Sequence, residues 1–372
     1  PSRIMPFLLS PLISWPGKLR MVMDLLIPPK RDGKEESLEQ FVLRRLGREA
    51  LERIAEPLVA GIHGADPATM SVQASFPRFI QMEQQYGSLL RAAWSARKRS
   101  KRPQGKSAET EKQHSFFMSF RGGMNELVEA LVGWIPTAKI RTGMRVINIQ
   151  KQPQGEGYQL FYASGESESF DRVIVAVPAY VAADLLGGML PRAAEILSQI
   201  RYSSTATVHL AYPADSFAKP LPGSGFVVPS VENRRIMGVT FSSRKWQGRA
   251  PEGMELLRAF IGGKNQSLLD GASVTDLADM VHRELEEMLG ATRRPSLVRA
   301  FVWRESMPQY QLGHLERVKV LQHLTDEQPG LYLAGAAYQG IGLSDCIRTG
   351  REAARRILES LHGPAGHRSG QA

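Results

Sequence analysis

The spacing of apolar and polar positions changes along the chain, and the change divides it. Up to about residue 96 the spacing is helical. Residues 18–27 place apolar side chains against Lys18, Arg20 and Asp24 in an amphipathic pattern that Pro28 and Pro29 stop, because proline cannot supply the amide a helix needs. Ser37 followed by Gln40 has the form of a capping box. Phe41, Leu43, Leu46, Leu51 and Ile54 follow at helical spacing until Pro57 interrupts, and a further helical pattern covers 79–94.

Beyond residue 116 the period shifts. An apolar run over 116–120 meets Gly122-Gly123 and then an amphipathic stretch from Asn125. Residues 158–162 alternate with period two. Residues 171–178 form a continuous apolar run, as a strand buried on both faces requires, and 180–186 read as a short helix. Between 187 and 325 strands dominate: 206–212, a hairpin from 225–228 and 236–241, then 255–263 and 297–303. One amphipathic helix over 275–289 joins them, the pattern of a largely antiparallel domain.

The most informative stretch lies near the C-terminus. Residues 331–334 form a short apolar strand, Gly335, Gly340 and Gly342 punctuate the turn after it, and Ser344 or Asp345 is the expected cap of a helix that Gly363-Pro364 ends. Apolar and small residues at 347, 350, 354, 357, 358 and 361 give that helix its expected buried face. A strand, a glycine turn and a helix N-terminus make a site for an electron-rich ligand, since unpaired amides and the positive end of the helix dipole point at it.

The predicted fold class is therefore mixed α/β (α+β). Four segments are expected: a helical subdomain over 1–112, an α/β segment over 113–186, a strand-rich domain over 187–325 and the C-terminal segment 326–372. Composition narrows the reading. With 42% hydrophobic and 23% charged residues the 372-residue chain has material for a core. A formal charge of +10 favours acidic partners, whether carboxylate ligands or an anionic membrane surface. Trp15, Lys18 and Arg20 make 18–27 a candidate for lying on such a surface. The basic cluster at 97–105 lacks interleaved aromatics and any nucleic-acid fold signature, so no nucleic-acid partner is expected. The single cysteine, Cys346, excludes a disulfide framework and fits a reducing, cytoplasmic location.

No protein nucleophile, acid–base pair or metal spacing stands out. His282 lacks the second histidine of a zinc helix and reads as a helix-surface residue. Catalytic side chains and metal ligands are accordingly expected to be none. An enzyme of this kind delegates its chemistry to an organic cofactor.

The run Leu-Tyr-Leu-Ala-Gly-Ala-Ala-Tyr-Gln-Gly-Ile-Gly-Leu-Ser-Asp-Cys from 331 strongly resembles the final FAD-binding motif of the oxygen-dependent protoporphyrinogen/coproporphyrinogen oxidases, flavoproteins of haem biosynthesis. Trp303-Arg304-Glu305-Ser306-Met307-Pro308-Gln309-Tyr310-Gln311-Leu312-Gly313-His314 resembles the segment leading to the flavin, and 120–124 with Leu127, 171–178 and 16–21 agree with further family segments. The resemblance implies a FAD/NAD(P)-binding-type domain with an antiparallel substrate domain. It implies oxidation of a porphyrinogen, protoporphyrinogen IX or coproporphyrinogen III, with dioxygen as acceptor. Membrane contact is read from 18–27 alone: either that helix lies peripherally on the inner face of the cell membrane or it packs on its own domain. By match to the family motifs, the FAD contacts would be Val146 on the adenine side, Trp303, and Gly335, Gly340, Ile341, Gly342, Leu343, Ser344 and Asp345. Phe226, Val227 and Val228 are the candidate substrate lining.

The family opens with a βαβ unit carrying Gly-x-Gly-x-x-Gly, where the FAD pyrophosphate sits, and no such motif occurs in these residues. The expectation is a chain truncated at its N-terminus by something on the order of a hundred residues, several times one βαβ unit, with the family's substrate-binding arginine in the missing part. Two other classes stay open: a non-catalytic flavoprotein remnant with a membrane or partner role, and an amine-oxidase-like flavoenzyme. The sequence carries no signal for oligomeric state.

Overall fold

The structure, a computed structural model, describes residues 4–100, 118–153 and 157–362. Most of the basic cluster from 101 onward, the apolar residues 116–117 and the Gly363-Pro364 stop lie outside the described residues. The strands are β1 (Val146–Lys151), β2 (Tyr158–Tyr162), β3 (Ser167–Phe170), β4 (Val173–Val175), β5 (Tyr202–Pro213), β6 (Gly225–Val227), β7 (Gly238–Phe241), β8 (Met254–Ile261), β9 (Leu297–Pro308) and β10 (Leu331–Leu333). The chain forms two compact units, each made of two separate stretches, Pro1–Ile140 with Ser203–Glu305 and Arg141–Tyr202 with Ser306–Ala372, and these boundaries fall inside the expected segments 113–186 and 187–325.

The first unit contains a helical part and a sheet part. The capping box at Ser37 is present: its hydroxyl accepts the Gln40 amide, and the Gln40 side chain accepts the Ser37 amide, both at 3.1 Å. Helix Leu38–Arg45 buries Leu38, Phe41 and Val42 against Leu51, Val59, Met70 and Val72. Before Pro57 the chain widens into a one-turn π-helix, Leu51–Ala55, and resumes as helix Glu56–His63. The Glu56 amide reaches back to the Leu51 carbonyl, and this wider turn accommodates Pro57, which has no amide to donate.

The N-terminal amphipathic element differs from its expectation. It begins at Trp15, where the Ser14 hydroxyl accepts the Gly17 amide, and runs as helix Trp15–Val22. Lys18 and Arg20 do not point outward. Lys18 is buried and its ammonium donates to the carbonyls of Leu8 and Ser10, each at 2.8 Å. Arg20 donates to the carbonyls of Leu43, Arg44 and Arg45, closing the C-terminal end of helix Leu38–Arg45. The exposed residues are apolar instead: Trp15, Leu19, Val22 and Leu26.

One ion pair holds the helical part together. Asp24 and Arg45 are both fully buried, with Oδ1 and Nε 2.8 Å apart. Asp24 also accepts from the Ser88 hydroxyl and the Leu90 amide, and Arg45 donates to the carbonyls of Ile27 and Gly87. Three chain segments, around 24–27, 45 and 87–90, thus meet at one pair of charges.

The sheet part is five-stranded, in the order β6-β7-β8-β5-β9. Strict alternation sends Val208, Leu210, Tyr212, Leu257, Ala259, Ile261, Val239 and Phe241 to one face. Helix Val274–Leu289 covers that face with Leu277, Val281 and Leu285. His282 is not a surface residue. It is buried on this helix, with Nδ1 3.0 Å from the Tyr212 hydroxyl and Nε2 3.2 Å from Glu286. Its position next to Val281 turns it inward, and Tyr212 supplies the partner that a buried ring requires.

In the second unit, β1-β2-β3 form an antiparallel sheet and β10 pairs in parallel with β4, Leu331 opposite Val173 and Leu333 opposite Val175. Helices Ala179–Leu186, Pro191–Ser198 and His314–Asp326 pack around Tyr158, Val173, Leu186, Leu197, Leu321 and Leu331. Among the described residues no helix is long and apolar enough to cross a membrane, and no cluster of histidine, cysteine and carboxylate side chains is placed to hold a metal.

Replacing Asp24 by alanine strips the buried Arg45 of its nearest carboxylate and leaves it the more distant Glu83, 3.8 Å from Nη1. We expect a loss of about 3–5 kcal/mol, read from urea unfolding, whereas Arg48→Ala, which removes an exposed pair with Glu52, should change stability by less than about 1 kcal/mol.

Candidate functional site

The glycine turn is built outward from β10. Ala334 extends the parallel pairing, its amide donating to the Val175 carbonyl at 3.1 Å. Gly335 then turns with φ +116°, and the space where a Cβ would stand holds no atom within 4 Å. Its amide donates to the Thr349 hydroxyl on the following helix at 3.2 Å. Gly340 has φ +103°, and a Cβ there would lie 2.4 Å from the Asp345 carboxyl carbon. Any side chain at Gly340 would meet both a disfavoured backbone conformation and this carboxylate.

The helix begins at Leu343, earlier than Ser344 or Asp345 as cap would allow. The Gly342 carbonyl accepts the amides of Asp345 and Cys346 at 2.9 and 3.0 Å. Asp345 folds back toward Gly340 instead, and Arg348 stands 3.5 Å from it while donating to the Gln339 carbonyl. The helix runs to His362. Its expected buried face is largely exposed at Ile347, Leu358 and Leu361, and Ala353 is the residue it buries. Gly342, Leu343 and Ser344 are also exposed, so the first-turn amides stand at the surface of this unit. Burial pushes the Cys346 thiol up, with Asp345 adding to the effect, so it is held as a neutral thiol rather than a nucleophile.

Two residues outside the motif hold the turn in shape. The Tyr310 hydroxyl donates to the Ala336 carbonyl at 2.7 Å and accepts the Gly340 amide at 2.8 Å. Burial pushes the Tyr310 phenol up, so it keeps the proton it donates. His314 lies flat against Tyr310, ring centroids 3.9 Å apart, and its Nε2 is 3.0 Å from the Tyr338 carbonyl. Both residues are buried. In the sequence both residues stand out only as part of the segment 303–314 that resembles the family. Tyr310 precedes helix His314–Asp326, and the turn at Gly313, with φ +81°, is what brings the two rings together.

The remaining candidates divide between the units. Val146 opens β1 opposite Tyr162 and packs on the same apolar cluster as Ala337 and Tyr338, in the unit that carries the turn. Trp303 belongs to the other unit, half exposed on β9 beside Phe301. Phe226 and Val228 pack into the core of the five-stranded sheet, Phe226 edge-on to Phe241. Of that trio only Val227 faces outward, because adjacent strand residues alternate.

Residues 2–358 match the family of flavin containing amine oxidoreductases, and the chain belongs to that family. Within it, the chain is 33% identical over 363 residues to coproporphyrinogen III oxidase of Bacillus subtilis, covering 97% of this chain and 75% of that one. It is 30% identical over 370 residues to the chloroplastic protoporphyrinogen oxidase of Oryza sativa subsp. japonica, covering 94% and 68%. A crystal structure from Exiguobacterium sp. 255-15, described as a protoporphyrinogen oxidase, superposes with a TM-score of 0.79 at 28% identity, covering 98% of this chain and 76% of that one. The flavin of the family fits the turn on local grounds: open space before Gly335, backbone without Cβ at Gly340 and exposed first-turn amides.

Tyr310→Phe removes both bonds of the pin at once. We expect the Gly340 amide to exchange at least tenfold faster with deuterium and the unit to lose about 1–3 kcal/mol, measured by hydrogen exchange and urea unfolding.

Proposed function

We propose that the chain carries out FAD-dependent oxidation of a porphyrinogen, protoporphyrinogen IX or coproporphyrinogen III, to the porphyrin in haem biosynthesis, with dioxygen as electron acceptor. The observation that carries this reading is identity to a coproporphyrinogen III oxidase along 97% of the chain. The match runs through the strand-rich stretch as well as through the flavin segment, so it bears on substrate as well as cofactor.

When bound, FAD supplies the acceptor for a hydride leaving a saturated ring carbon. The chain's own part is to hold and orient. The first-turn amides of helix Leu343–His362 and the backbone of Gly335, Gly340, Ile341 and Gly342 would hold the electron-rich part of the flavin, favoured by the positive end of the helix dipole. Tyr310 and His314 fix the shape of that backbone, so the donors are in place before the ligand arrives. Leu343, Ser344 and Asp345 complete the turn, Val146 is assigned to the adenine side and Trp303 to the cofactor. Val227 is the outward-facing residue of the candidate substrate lining.

Peripheral contact with an anionic bilayer is part of the proposal. It is supported by the exposed apolar stripe of Trp15, Leu19, Val22 and Leu26 and by the net positive charge, with Lys18 and Arg20 contributing internal bonds rather than headgroup contacts.

The test is spectroscopic. FAD titrated into the purified chain should give a resolved flavin band in the visible, and coproporphyrinogen III or protoporphyrinogen IX should then yield fluorescent porphyrin with matching oxygen uptake. A protein that takes up no FAD would sink the reading in favour of a non-catalytic remnant. Peroxide release with amines, and none with porphyrinogens, would point to an amine oxidase. Porphyrin formation that needs an added quinone and consumes no oxygen would replace dioxygen as the acceptor.

A further inference from the structure

The five-stranded sheet uses one face for its core, and its other face carries an unusual set of charges. Register places Arg258 on β8 directly between His209 on β5 and Thr240 on β7. Alternation sends all three away from the core, which takes Val208, Leu210, Leu257, Ala259, Val239 and Phe241. Phe301 on β9 meets the His209 ring edge-on, with centroids 5.8 Å apart.

Arg258 is half-buried and meets no carboxylate among the described residues. Its guanidinium stands 5.1 Å from the Phe260 ring centre, and its buried Nε has no hydrogen-bond partner. The groups that act on it electrostatically share its sign. Burial lowers the Arg258 pKa, with the charge of Arg249 second. Burial likewise lowers His209 and Lys245, in both cases with the charge of Arg258 second. Arg249 is itself tied to the Phe120 carbonyl and the Ser119 hydroxyl, so it cannot swing away freely.

A protein does not gain stability by crowding cations on a half-buried sheet face. Desolvating a guanidinium without an opposing charge is costly, and like charges on adjacent strands repel. Arg244, nearby in sequence, shows the ordinary solution: it pairs with Glu255 and donates to the Leu221 carbonyl. The unopposed cation at Arg258 is what a binding face for an anion requires.

Resting on the porphyrinogen reading, we propose that Arg258 anchors a substrate carboxylate on this sheet face. Lys245 adds to the positive potential, and the His209 ring, held neutral, and Phe301 supply ring surface for the macrocycle. The same anchor makes Arg258 a specificity residue. Coproporphyrinogen III bears a propionate on every ring, whereas two rings of protoporphyrinogen IX bear vinyl groups, so a further carboxylate site favours the former.

The test is binding of the stable porphyrins to the full chain, which needs neither flavin nor turnover. Coproporphyrin III and protoporphyrin IX are titrated separately and followed by the Soret band. Arg258→Met should weaken coproporphyrin III binding about tenfold or more and protoporphyrin IX binding by a smaller factor. Arg258→Lys should recover part of the loss. The thermal midpoint of Arg258→Met should hold or rise, since an unpaired cation is removed. Unchanged affinity of Arg258→Met, with the unsubstituted chain binding both porphyrins, overturns the anchor and leaves the porphyrinogen reading standing. A lower thermal midpoint with equal losses for both porphyrins makes Arg258 a structural residue and overturns it too. An unsubstituted chain that binds neither porphyrin overturns the porphyrinogen reading and the anchor with it.

Discussion

A single phenol hydroxyl decides the shape of the segment on which the flavin reading rests. The turn from Gly335 to Gly342 is rich in glycine, and glycine leaves the backbone free to take many shapes. The Tyr310 hydroxyl removes that freedom by satisfying a carbonyl at Ala336 and an amide at Gly340 together. His314, stacked on the same ring, holds the Tyr338 carbonyl between them. The turn is therefore defined by side chains that reach it from a segment well upstream, not by its own residues. A glycine-rich sequence can approach a ligand closely and still be preorganised, because its rigidity is supplied from outside.

How much of this was legible in sequence depends on the range of the interaction. The capping box at Ser37, the helix over 275–289 and the alternation of the antiparallel strands follow from residues close together in the chain, and each appears as read. The position of the glycine turn between a strand and a helix was equally local. What the sequence hid were partners brought from afar. For 18–27 both a helix on a membrane surface and a helix packed on its own domain stayed open, because nothing in the pattern indicated the carbonyls that receive Lys18 and Arg20. His282 read as a surface residue because its partner, Tyr212, lies on another element. Phe226 and Val228 read as ligand-facing although the core under their own sheet claims them. The start of the final helix shifted for a local reason: the Gly342 carbonyl, not a Ser or Asp side chain, accepts the first free amides.

The two charged centres of the first unit show opposite uses of burial. Asp24 and Arg45 neutralise one another and collect the surrounding carbonyls and hydroxyls, so their position in the interior holds segments together. Arg258 has the same chemistry available, yet among the described residues it stands over the Phe260 ring and meets no carboxylate. One guanidinium serves the architecture, and the other, without a counter-charge, is the one proposed to serve a ligand.

The parallel pairing of β4 with β10 carries a consequence for biogenesis. These strands, together with the helices that cover them, come from stretches separated by the entire five-stranded sheet. During synthesis β4 emerges before β10 and must wait for it, so the second unit cannot close until the strands between them have left the ribosome. The inserted sheet, in the order β6-β7-β8-β5-β9, does not include β10 and is free to form first. Nonlocal pairing of this kind is slow and exposes apolar surface while it waits. The glycine turn follows β10 directly, so the segment read as the flavin site becomes ordered only once β10 has joined β4.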